Sequence, residues 1–108
     1  MANALFGSKG TTPVGVTLTA SGQTVIAAVP GKRIRVFAFW VTTLLATNLK
    51  FQSNASDISG QMACADKGGM VVPNVDMAWL VTAVGEALNM SMTVNTQVGV
   101  QVIYDVVE

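Results

Sequence analysis

The sequence predicts an all-β domain, a jelly-roll-like antiparallel β-sandwich of about eight strands separated by turn signals roughly every ten residues. Three observations carry this expectation. Apolar residues recur at every second position through most of the chain. Gly, Pro, Asn and Ser punctuate it at short intervals. Only one segment offers a competing helical period.

Val14, Val16 and Leu18 alternate with Gly15, Thr17 and Thr19, which describes a half-buried strand, and Ser21-Gly22 supplies the next turn. Gln23 to Val29 is a β-rich run that Pro30-Gly31 stops. From Lys32 to Thr42, strict alternation places Ile34, Val36, Ala38 and Trp40 on one face and Arg35, Phe37, Phe39 and Val41 on the other. Apolar residues on both faces imply a central strand packed on two sides, or one with a face turned to a neighbouring subunit. This run and the one before it read as a hairpin. Leu49, Phe51 and Ser53 alternate with Lys50 and Gln52, and the run from Ser53 to Asp57 is a loop by composition. A strand is expected from Ile58 to Cys64. Lys67-Gly68-Gly69 breaks the pattern, Met70 to Val72 resumes it, and Pro73-Asn74 ends it.

Between Asp76 and Val94 two periods compete. Met77, Leu80, Val81, Val84 and Leu88 fit one helix face, whereas Met77, Trp79 and Val81, and then Leu88, Met90, Met92 and Val94, alternate around a possible turn at Gly85-Glu86. The strand reading is preferred. Val98, Val100, Val102, Tyr104 and Val106 mark the clearest strand of all. The opening residues, with Leu5 and Phe6 among Gly, Ser, Asn and Thr, lack any period. The expected organisation is therefore an N-terminal arm over 1–12 and one sandwich domain over 13–108, a size sufficient for a core without metal or disulfide.

Composition restricts function. Apolar residues make up 51% of the chain and charged residues only 11%, against roughly a quarter charged in soluble proteins. Such a surface favours association, so a homo-oligomer or a component of a larger assembly is expected. Six basic and six acidic residues cancel. The only basic run is Lys32, Arg33 and Arg35, too little for nucleic acid or an anionic membrane. No apolar run is long enough to span a bilayer, and the start MANALFGSKG is too polar for a secretory signal, so assembly in a cytoplasm is expected.

Chemistry is hard to build from these residues. There is no histidine, the usual general base and metal ligand near neutral pH. Cys64 is alone and reads as a small buried thiol. Asp57, Asp66, Asp76, Glu86, Asp105 and Glu108 are scattered and sit mostly at turns. Lys67-Gly68-Gly69 lacks the ending of a phosphate loop. No enzyme, cofactor or metal is expected. Trp40 and Trp79 read first as core, with a subunit contact or a sugar-stacking face as the alternatives. Arg33 and Arg35, two apart on one strand face, are solvated charges at a strand start, partners for an acidic protein surface, or a phosphate contact. The candidate protein interface is accordingly Leu5, Phe6, Arg33, Arg35, Phe37 and Phe39.

The wording of the sequence adds a resemblance. Thr19 to Val36 (TASGQTVIAAVPGKRIRV), Asn48 to Ser53 (NLKFQS), Ile58-Ser59-Gly60, Gly68-Gly69, Pro73, Gly85 to Leu88 (GEAL), and Val98-Gly99 with Tyr104 together resemble small structural proteins of tailed-bacteriophage virions. The likeness lies in their order, since no single phrase is diagnostic. It implies a β-sandwich subunit in the virion, assembled in the bacterial host cytoplasm. Its expected role is capsid decoration, as a cement protein on the major capsid protein or another virion protein, with a trimer as the expected oligomer. The alternative is a tail- or fibre-associated module that recognises a bacterial surface glycan. The resemblance carries across no functional residue.

Overall fold

The computed structural model describes residues 12–108, and alternation along the chain becomes pairing between strands. The described residues form ten strands: β1 (Thr12–Leu18), β2 (Gln23–Ile26), β3 (Arg33–Thr43), β4 (Thr47–Ser53), β5 (Ser56–Asp57), β6 (Met62–Cys64), β7 (Gly69–Val72), β8 (Leu80–Val81), β9 (Leu88–Met92) and β10 (Val98–Val107). They build two antiparallel sheets of five strands each. The first sheet runs β1-β10-β3-β7 with β8 on β3, and the second runs β2-β9-β4-β5 with β6 on β4. β7 and β8 take different stretches of one edge of β3, as β5 and β6 do on β4, so each sheet is four strands wide. The chain is an all-β sandwich.

The two apolar inner faces meet in a single core. Leu18, Ile34, Val36, Phe39, Val41, Val98, Val100 and Val102 come from the first sheet, and Ile26, Leu49, Phe51, Cys64, Leu88, Met90 and Met92 from the second. Phe39 and Phe51 meet edge to face across the interior with centroids 4.8 Å apart, the arrangement that aromatic quadrupoles favour. Gly69 lies so close to the carbonyl of Val41 that a Cβ there would collide with backbone, which explains the residue that starts β7.

Three sequence expectations change, and the strand reading of the ambiguous stretch holds. The runs on either side of Pro30-Gly31 do not form a hairpin: β2 pairs with β9, β3 lies in the other sheet, and the chain changes layer at this turn. The strand expected over Ile58–Cys64 shrinks to β6, with β5 before it. The ambiguous stretch from Asp76 to Val94 contains β8 and β9 and no helix, divided at Gly85 (φ 75°), where a left-handed backbone makes glycine the natural choice.

The third change concerns β3. Ile103 of β10 lies opposite Ala38, but Tyr104 lies opposite Val36, leaving Phe37 as an extra residue. One unpaired residue reverses the facing of everything after it. Inward positions are therefore Ile34 and Val36 before the bulge and Phe39 and Val41 after it. Trp40, expected on the face of Ile34, points the other way and is 42% exposed; Trp79, also read as core, is 47% exposed.

Candidate interaction face

Cross-strand register assembles the outer face of the first sheet row by row. One row reads Gly15, Gln101, Trp40, Val71, and the next reads Thr17, Gly99, Thr42, Gly69. Towards the other end, Pro13, Ile103 and Ala38 align, followed by Asp105, Arg35 and Val81. Val71 is 73% exposed beside Trp40. The segment between β7 and β8 continues the apolar character with exposed Val75, Met77 and Trp79. That segment is held in shape: the indole Nε1 of Trp79 donates to the Pro73 carbonyl at 2.8 Å, and the Asp76 amide donates to Asn74 Oδ1 at 3.0 Å.

The outer face of the second sheet has different chemistry. Asp57, Gln52, Asn89 and Thr24 form one row, Lys50 pairs with Ser91, and Asn48 pairs with Ala63. Asp57 accepts from Gln52 Nε2 and Lys50 Nζ, both at 2.9 Å. These bonds, that from Gln52 first, hold the Asp57 carboxyl below the ordinary carboxylate range.

The residues expected to form an interface fall into different settings. Arg35 Nε and Nη2 grip Asp105 at 2.8 and 2.6 Å in a two-pronged ion pair, and the guanidinium carbon stands 5.3 Å from the Phe37 ring centroid. Hydrogen bonding to Asp105, opposed by burial, raises the pKa of Arg35, which stays charged. Two of its five N–H donors are thus engaged inside the subunit. Phe37 is buried and Phe39 belongs to the core, so neither presents its ring at the surface. Arg33 is exposed at the start of β3, opposite Val107. Leu5 and Phe6 lie outside the described residues. The outward facing of Trp40 was missed because strict alternation ran straight through Phe37. Its one trace in the sequence is the apolar pair Phe37 and Ala38, where the phase changes.

A hollow opens beside Trp40, and a second adjoins it. One, of about 380 Å³, is lined by Gly15, Val16, Thr17, Trp40, Thr42, Gly99, Val100 and Gln101. The other, of about 310 Å³, shares Thr42 and Gly99 with it and extends past Thr43, Leu44, Lys67, Gly68 and Gln97. Among the described residues, no three of Cys, Asp and Glu gather closely enough to hold a metal ion. Cys64 is buried, and burial pushes its thiol pKa up, away from the reactive thiolate.

Fold and face together define a β-sandwich with one polar and one substantially apolar outer surface. Comparisons with protein-family models, curated proteins and solved structures gave no match.

Proposed function

We propose that the protein is a non-enzymatic structural subunit of a bacteriophage virion, a decoration or cement protein that binds the outside of the head shell. The observation that carries this reading is the exposed set Val71, Val75, Met77, Trp79 and Val81 at the β7–β8 edge of the first sheet. Single exposed apolar residues are ordinary, whereas a contiguous set marks a contact surface. The partner is the major capsid protein or another virion protein, and the subunit associates as a homo-oligomer, a trimer, around a local symmetry axis.

Strand order supports the finer reading of the fold as a jelly roll. β1 and β2 stand first in their sheets, β10 and β9 second, β3 and β4 third, so each consecutive pair is split between the layers at equivalent positions. Jelly rolls of two Greek keys occur in viral capsid and lectin domains. The low charge and the virion-protein resemblance point the same way.

The test is stoichiometric. Purified particles carrying the protein are disassembled and quantified by mass spectrometry. The expected copy number is of the same order as that of the major shell protein, and a number far below it overturns the decoration role. The tail or fibre reading has one observation in its favour, the hollow at Trp40.

A further inference from the structure

We infer that the hollow beside Trp40 is a carbohydrate-binding subsite, in which a neutral pyranose ring stacks on the indole while its hydroxyls meet Gln101, Thr17 and Thr42. The inference stands apart from the decoration role, because its lining comes from β1, β10 and β3 rather than from the β7–β8 edge.

The shape of the site comes from glycine placement. In the row Thr17, Gly99, Thr42, Gly69, the second and fourth positions lack side chains, and in the row before it Gly15 stands at the edge. The Gln101 amide lies across Gly15, where a Cβ would come within 2.7 Å of Nε2; a Cβ at Gly99 would come within 3.0 Å of Thr42 Oγ1. Side chains at these glycines would fill the trough. Trp40, next to Gln101 in the same row, rises as its wall. The volume, about 380 Å³, falls within the roughly 300–1,000 Å³ usual for small-ligand sites.

The lining selects the ligand class. None of the eight described residues around the first hollow carries a charge, so among them an ion finds no charged partner. An apolar ligand is also poorly served, because Thr17, Thr42 and Gln101 are all exposed and present hydroxyls and an amide that it would leave unpaired. A ligand with an apolar face and a hydroxylated rim uses both features, and a pyranose has that form. An aromatic face and a polar edge offered together match it. The second hollow adjoins at Thr42 and Gly99, so a glycan of more than one sugar can continue towards Leu44 and Gln97.

Trp79 is excluded from this role. It lines neither hollow, and its Nε1 is engaged by Pro73. The two tryptophans thus separate into a ligand platform and a part of the apolar edge.

The experiment uses the full chain with Trp79→Phe, which leaves Trp40 as the sole indole reporter. Methyl glycosides of glucose, galactose and N-acetylglucosamine, and the disaccharides maltose, lactose and chitobiose, are titrated to roughly 50 mM, enough to populate a weak site. Indole fluorescence is followed. The expected result is a saturable change with at least one probe, a stronger one with its disaccharide, and an affinity about three- to tenfold lower in Gln101→Ala, one lost hydrogen bond's worth. Gln101 is exposed, so this variant keeps its fold, which a circular dichroism melt verifies. No saturable change with any of the six sugars overturns the inference. So does a change that Gln101→Ala leaves untouched, or one that persists in Trp40→Ala with Trp79 retained.

Discussion

The two sheets share an interior but differ on their outer faces. Ile34, Val36 and Val98 of the first and Leu49, Phe51, Leu88 and Met90 of the second are all fully buried in the same core. Outside, the second sheet carries Lys50, Gln52 and Asp57, bonded to one another, and Asn89, whose Nδ2 donates to the Asn54 carbonyl. The first carries Trp40, Val71 and Val81, with Met77 and Trp79 alongside, which the subunit leaves exposed. An inner face is shaped by the need to fold, so it tells little about role. An outer face owes nothing to the core, and its composition reflects what it meets.

The comparison depends on β3 keeping a fixed facing through the bulge, where Phe37 sits as the extra residue. Deleting Phe37 leaves Val36 and Ala38 opposite Tyr104 and Ile103 in regular alternation, with Ile34, Val36, Phe39 and Val41 still on the inner face and Trp40 on the outer one, so the cost is that of a buried ring and of the stacking partner of Arg35. The loss should be about 3–5 kcal/mol, as for a large core truncation, read by unfolding in denaturant. A deletion variant that melts like the wild type would show that the Phe37 ring contributes no packing.

Truncation within the core sharpens the other half of the comparison. Ile34→Ala in the first sheet and Leu49→Ala in the second should each cost about 2–5 kcal/mol by urea denaturation, because both side chains are fully enclosed. A cost below about 1 kcal/mol at either site would mean that its sheet contributes no tight interior.

These two residues also show how much was legible in the sequence. Alternation found β1, β3, β4, β9 and β10 and identified Ile34 and Leu49 as apolar positions within strands, because a buried strand face imposes its period on the residues themselves. What alternation cannot register is a skipped beat: Phe37 and Ala38 are both apolar, so the phase change leaves the pattern looking unbroken. Trp40 was consequently read as core. Strand partners were less legible still, since β2 and β3 are joined by a tight Pro30-Gly31 turn that serves equally for a hairpin or for a crossing between layers. The apolar face could not be read from one strand, because it exists only where Trp40, Val71 and Val81 are brought together from three.

Substitutions on the outer faces test the comparison where it bears on function. Val71→Thr and Met77→Gln should leave stability within about 0.5 kcal/mol, as for exposed positions. They should lower occupancy on particles in a co-sedimentation assay. Lys50→Gln on the second sheet should change neither by a comparable amount. Equal losses from both sheets would mean that the apolar face is not the contact.

The smallest expected effect separates the sheets by pH. Asp57, on the polar face, accepts bonds from Gln52 and Lys50, so its folded-state pKa lies below that of the unfolded chain. Its contribution is therefore present above the unfolded value, about 3.9 for an aspartate, and is lost as pH falls through the folded one. Asp57→Asn removes that dependence, so the variant's melting temperature should fall less steeply than the wild type's as pH drops below about 4. Because Lys50 and Asp57 face solvent, about 1 M salt should shrink the difference. Arg35 and Asp105 are more enclosed and also joined by two hydrogen bonds, so salt should affect that pair less. Identical acid slopes for Asp57→Asn and the wild type would remove the Asp57 contribution from the polar face, leaving its composition as the only distinction between the two surfaces.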